Sequence, residues 1–291
     1  MNLIVENLKA RRPGLAQNTY TTYARSILRL RKVSADLVPK EIDKYLETLP
    51  VTTARNLLTA LIVFDGERIA RLDAWSKRHE RYDALAASHR DQQSMSDYES
   101  AHWVSWKKVL GAVKRMREDV TNQKLFERGT TKADHRLLSG YIAMSIHSKF
   151  QWRNDVPSIR VVETSTLATN KKHNYFVLSV GKFIFHDFKT ATIFKRRKQW
   201  PLVLEVPPSL RKLLHNFCKK HKRQWLLPQL SGKQTSKASY KGLLQWITYR
   251  YLGVKLGTTM LRKIYLSEFL RSDLRLTERK KTLTRMMQLS L

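Results

Sequence analysis

A single cysteine, Cys218, stands in 291 residues, so no disulfide can form within the chain. Glycine (10) and proline (8) are scarce, which fits a helical bundle. No apolar run approaches the ~20 residues of a membrane span. The stretch from Met1 to Gly14 lacks a signal-peptide core. These absences predict a nuclear or cytoplasmic protein, or a virion-associated one, with no membrane partner. Acidic residues are also short: 24 Asp and Glu against 55 Lys and Arg give a formal charge of +31. Such an excess repels itself unless a polyanion neutralises it. Nucleic-acid phosphate is the usual partner, and counterion release supplies much of the affinity. A merely basic RNA-binding or genome-packaging protein fits the charge as well. With 42% hydrophobic and 10% aromatic residues, the chain is not a disordered basic tail.

The charge is uneven. Residues 1–130 hold 23 basic and 16 acidic side chains, whereas residues 131–291 hold 32 and 8. The length suggests two domains. The polar, period-free stretch Thr121 to Asp134, with Gly129, reads as the linker between residues 1–125 and 126–291. The first half reads as helices. Tyr20, Tyr23, Ile27 and Leu30 recur at helical spacing, with Arg25 and Arg29 on other faces. Pro39 opens a second helix and Pro50 ends it; Leu57, Leu58, Leu61 and Ile62 mark a third. A long polar helix runs to Arg90, and Ser96 to Val120 is helical again. Its tryptophans, Trp103 and Trp106, suit a core, with base stacking as the alternative.

The second half changes character. Leu137 to Phe150 reads as an apolar helix. Tyr175 to Phe185 reads as a strand, a turn at Gly181 and a second strand. A third strand spans Pro201 to Val206. The basic run Lys195, Arg196, Arg197, Lys198 is expected on a DNA-facing hairpin, together with Lys182. Helices follow at Leu210 to Lys222, Tyr240 to Tyr251, Thr258 to Leu270 and Thr277 to the end. The fold class is therefore α+β, mostly helical, with a three-stranded sheet.

This order resembles the tyrosine recombinase, or phage-type integrase, family. Phe150-Gln151-Trp152-Arg153-Asn154-Asp155 is similar to the first-arginine motif, in the Arg-Asn-Asp form found in integrases of large viruses and eukaryotic mobile elements. Phe188-Lys189-Thr190-Ala191 resembles the hairpin-lysine motif. Thr259-Met260-Leu261-Arg262, followed by Lys263, resembles the second-arginine helix, and Met286 to Ser290 a degraded Met-Gly-His-Ser motif. The resemblance covers essentially the whole chain. It implies a helical core-binding (SAM-like) domain and a catalytic-type domain that clamp duplex DNA and self-associate on it, without metal or small-molecule cofactor.

In that family a tyrosine attacks a phosphodiester, two arginines clamp the phosphate and a lysine protonates the leaving oxygen. The resemblance assigns the clamp to Arg153 and Arg262 and the acid to Lys189. Other readings stay open at each position: Arg153 as an ion-pair partner of Asp155, Lys189 as one more backbone-contacting lysine, and Arg262 as a solvated side chain. The departures bear on catalysis. Thr259 stands where the family has histidine, and a hydroxyl is a poor proton shuttle at neutral pH. Leu289 stands where a later His or Trp belongs. Tyr265 is the only tyrosine after Arg262, and its position on the apolar face suits packing. Whether the protein is an enzyme is left open by the sequence. The expectation is DNA binding for recombination or integration with impaired or absent cleavage. The alternative is an active recombinase whose nucleophile lies beyond Leu291.

Overall fold

The computed structural model describes residues 1–65, 69–91, 95–127, 131–188, 191–221 and 224–271. They form two compact units, Met1–Met95 and Ser96–Leu291.

Among its described residues the first unit contains five helices: α1 (Asn2–Arg11), α2 (Gln17–Arg31), α3 (Pro39–Glu47), α4 (Val51–Asp65) and α5 (Ile69–Asp91). Each turns one stripe inward. Leu8, Ile27, Leu30, Ile42, Leu46, Leu58 and Leu61 form the core with Trp75. Pro39 suits the first turn of α3 because its missing N–H has no helical acceptor there. Polar ties reinforce the bundle. The fully buried Trp75 donates Nε1–H to Asp65 Oδ2 at 2.9 Å, joining α4 to α5. Arg78 forks onto both carboxylate oxygens of Asp43, joining α5 to α3.

The second unit begins with α6 (Asp97–His102) and α7 (Trp106–Asn122). Ser96 and Glu99 form a reciprocal capping box that starts α6. The helix α8 (Lys132–His147) starts on a second such box, Thr131 with Asp134. The boundary expected at residue 125 thus falls inside this unit. Trp106, Val109, Ala112, Met116 and Val120 of α7 share one core with Leu137, Leu138 and Ile142 of α8. The stretch expected to be a linker lies in sequence between these two packed helices and includes the end of the first and the start of the second. From Leu137 to His147, α8 is buried all round, as a central helix must be. Gly140 allows α11 (below) to come close: a Cβ there would meet Ile247 Cγ1 at 2.9 Å.

A four-stranded mixed sheet follows: β1 (Ile159–Val162), β2 (Asn174–Val177), β3 (Lys182–Phe185) and β4 (Leu202–Glu205), in that spatial order. Only the last three strands were expected. β1 pairs parallel with β2, and the other pairings are antiparallel. Four residues without alternation gave β1 no sequence signal. It is fixed by tertiary pairing, since residues 224–226 cover its outer edge through Val161 N–H to Gln224 O and Leu226 N–H to Ile159 O. Gly181, at φ +64°, makes the β2–β3 turn, where the Arg211 side chain fills the space a Cβ would take. Between β3 and β4 lies a short helix, α9 (Ala191–Arg196). The basic run is therefore on the end of a helix and the turn after it, rather than on a hairpin. β4 lies between Pro201 and the pair Pro207-Pro208.

Three helices complete the unit: α10 (Pro208–His221), α11 (Lys237–Leu252) and α12 (Thr258–Arg271). The helix expected from Thr277 onward lies outside the described residues. No described helix is long and apolar enough to cross a membrane.

Candidate phosphate-binding site

The loop after α8 is held by its apolar residues so that its polar ones can face outward. Trp152 is buried. Its ring stacks on Phe150 at 4.6 Å and meets Phe183 and Phe185 of β3 edge-on at 4.7 and 4.8 Å. Gln151 donates Nε2–H to the His147 carbonyl at 2.7 Å, closing the helix end. Arg153 therefore leaves a rigid anchor and is half-buried.

Arg262 arrives from the first turns of α12, also half-buried. Leu261 and Ile264 pack beneath it in the core. Its pKa lies below the ordinary arginine value, first because it is partly buried and then because the Arg153 charge is near. Two guanidinium groups far apart in sequence thus share one field. Arg262 Nε is buried and has no hydrogen-bond partner among the described residues. Thr258 Oγ1 donates to Asn154 Oδ1 at 3.2 Å, tying the start of α12 to the Arg153 loop.

Acidic and basic groups around the pair are balanced. Burial pushes the Asp155 carboxyl up; Lys237 pulls it down, Asp187 raises it, and Arg153 lowers it. Asp187 is thus within electrostatic reach of the arginine loop. Lys189 itself lies outside the described residues, as does the Met286 to Ser290 motif. Thr259 is exposed at the surface of α12.

Sequence reasoning missed two residues. His147 is buried, and its pKa is lowered to about 4 by burial, with a backbone bond at Phe150 opposing and the Arg262 charge reinforcing that fall. Its Nε2 meets the Tyr240 hydroxyl at 2.8 Å. Burial and then the Asp155 charge hold the Tyr240 pKa well above its ordinary value. His147 read as the end of an apolar helix, and no local pattern pairs it with Tyr240 on α11.

The remaining expected residues are dispersed. Lys182 pairs with Glu205 across β3 and β4 at 3.0 Å. Lys195 lies over the Trp200 ring at 4.6 Å, and Arg196, Arg197 and Lys198 are exposed beside it. Lys263 is bonded to Glu99 of α6. Tyr265 packs edge-on against Trp106 at 4.9 Å and stacks with Phe269, as a core residue does. In the other unit, Arg25 and Arg29 are exposed on α2, with Arg29 donating Nε–H to the Tyr45 hydroxyl at 2.6 Å.

Chemically, the arginine pair is suited to hold a doubly accepting oxyanion such as a phosphodiester. No family model matches the chain, and no curated protein matches it. Among solved structures, one titled "Crystal structure of XerA recombinase" aligns over 96% of this chain and 88% of its own length, at TM-score 0.37 and 10% identity. That likeness is too distant to assign a fold family.

Proposed function

We propose that this protein binds duplex DNA in the manner of a tyrosine recombinase, with Arg153 and Arg262 holding a backbone phosphate, and that its strand cleavage is impaired or absent. The observation that carries the reading is the convergence of two half-buried guanidinium groups from distant segments, Arg153 and Arg262, the second with its pKa lowered first by burial and then by the Arg153 charge. Holding two like charges together costs free energy that an anion between them returns. The net charge of +31 supplies the wider attraction to a polyanion. Arg25 and Arg29 in one unit and Arg196, Arg197 and Lys198 in the other are exposed for backbone contacts.

Impaired cleavage is supported by the same site. Thr259 offers a hydroxyl where the family carries a histidine. His147, an imidazole that feels the Arg262 charge, is buried against Tyr240. Tyr265 is engaged with two aromatic rings.

The test is a binding titration on duplex DNA over a range of salt, with wild type, Arg153→Ala and Arg262→Ala, beside a nicked substrate that traps covalent protein. The reading expects steep salt dependence, weaker binding by both variants and no DNA-linked protein. Salt-independent binding would sink it. A covalent adduct would restore the active-enzyme alternative, and a preference for RNA over duplex DNA would favour the RNA-binding one.

A further inference from the structure

A cleft of about 480 Å³ opens between α7, α8 and α10. Four cations line it from different segments: Lys114 and Arg117 of α7, Lys149 just after α8, and Lys212 of α10. Among the described residues no carboxylate lines it. Lys114 has Glu118 one turn away at 3.9 Å, both well exposed; such a pair is weak. Arg117, Lys149 and Lys212 form no ion pair among the described residues.

The floor is polar but uncharged. Tyr141, Ser145 and Ser148 follow at i, i+4 and i+7 on one face of α8, and Ser209 faces them from α10. One wall is apolar, made by Leu110, Val113 and Leu213. Leu110 is 43% exposed, a large apolar side chain left at the rim.

The cleft is separate from the Arg153–Arg262 pair. On α8, Gly140 and His147 share the face turned to Ile247 and Tyr240 of α11. Residues 141, 145 and 148 lie roughly 90° to 150° around the helical turn from that face. The volume falls within the ~300–1,000 Å³ of small-molecule sites, and a duplex does not enter such a space.

We propose that this cleft binds a nucleoside polyphosphate, its phosphates met by Lys114, Arg117, Lys149 and Lys212 and its base or sugar laid against Leu110, Val113 and Leu213. Both halves of the lining are needed for this assignment. Cations and hydroxyls alone would fit inorganic polyphosphate, and the apolar wall selects a ligand with an uncharged body.

Calorimetric titration of the full chain with a nucleoside triphosphate, inorganic tripolyphosphate and the unphosphorylated nucleoside tests it. The expected result is saturable binding of one triphosphate per chain, tighter than tripolyphosphate, with the bare nucleoside weakest. Arg117→Ala with Lys212→Ala should weaken nucleotide binding at least about ten-fold. Lys9→Ala with Lys40→Ala, which removes the same charge from the other unit, should leave it within about two-fold. Leu110→Ala should weaken the nucleotide and spare tripolyphosphate. If the double variant loses its helical circular dichroism, Lys149→Ala, at an exposed turn, replaces it. Non-saturating binding, equal loss in both double variants, or tripolyphosphate binding as tightly as the nucleotide would overturn the proposal. So would complete displacement by short duplex DNA, which would place these cations on the DNA path. Persistence of nucleotide binding in Arg262→Ala, with DNA binding lost, would support two separate sites.

Discussion

The His147 imidazole and the Tyr240 hydroxyl meet at 2.8 Å in the interior, bridging α8 and α11 within the field of Arg262. With its pKa lowered to about 4, His147 is neutral in the folded protein across the physiological range, as a buried imidazole beside an arginine must be.

Stability should consequently depend on acid. The unfolded chain takes up a proton at His147 near pH 6.5, while the folded one resists until about pH 4. The stabilisation is complete above the unfolded pKa and is lost as pH falls from there through the folded value. Urea unfolding at pH 7.0, 5.5 and 4.5 should show a loss of up to about 3 kcal/mol from this residue. His147→Gln should flatten that slope in part. The burial-lowered His173 and His186 contribute in the same direction. An unchanged slope in the variant would refute the assignment.

The arginine pair should trade stability against binding. Arg262→Gln removes a half-buried charge repelled by Arg153, so its urea midpoint should equal or exceed that of wild type. Its affinity for duplex DNA should fall, and the slope of log affinity against log salt should shrink by about one. A large drop in midpoint would mean that Arg262 holds the fold rather than a ligand.

Removing the Trp75 donor should be costly. Trp75→Phe keeps most of the apolar contact but leaves the buried Asp65 carboxylate without its 2.9 Å bond. An unsatisfied buried charge costs about 2–4 kcal/mol. Thermal melting of the isolated 1–95 unit and of the whole chain should both register it.

Gly140 and Ile247 should be energetically coupled. Gly140→Ala places a methyl 2.9 Å from Ile247 Cγ1, an overpacking worth about 1–3 kcal/mol. Ile247→Ala in the same chain should recover part of it. A double-mutant cycle with no coupling would contradict the close approach of α8 and α11.

Helices such as α2 and α7 were legible because each has one apolar stripe, whereas α1 and α9 had no expectation. Ile27 and Leu30 of α2, and Val109 and Met116 of α7, announce their faces by spacing alone. The Gly181 turn was legible because its positive φ calls for glycine. Polarity around Thr121 to Asp134 reads like a linker, yet the stretch takes in the end of α7 and the Thr131–Asp134 box that starts α8, two helices that share one core. β1 was invisible because its stabilisation comes from β2 and residues 224–226 rather than from its own four residues. At the site, Arg153 and Arg262 were singled out by motif, and their common field is a tertiary fact. His147 and Tyr240 stood in segments whose apolar pattern masked them.

The sheet has an asymmetry that bears on crowding. One margin is sealed by residues 224–226, so among the described residues the backbone groups open to a foreign strand belong to β4. That margin is four residues long and ends in proline on both sides, and proline offers no amide to extend a ladder. A neighbouring copy laid alongside would find too short a template to propagate. A chain this rich in aromatic strand residues is thereby guarded against edge-to-edge aggregation at the high local concentrations that coating a polyanion would create.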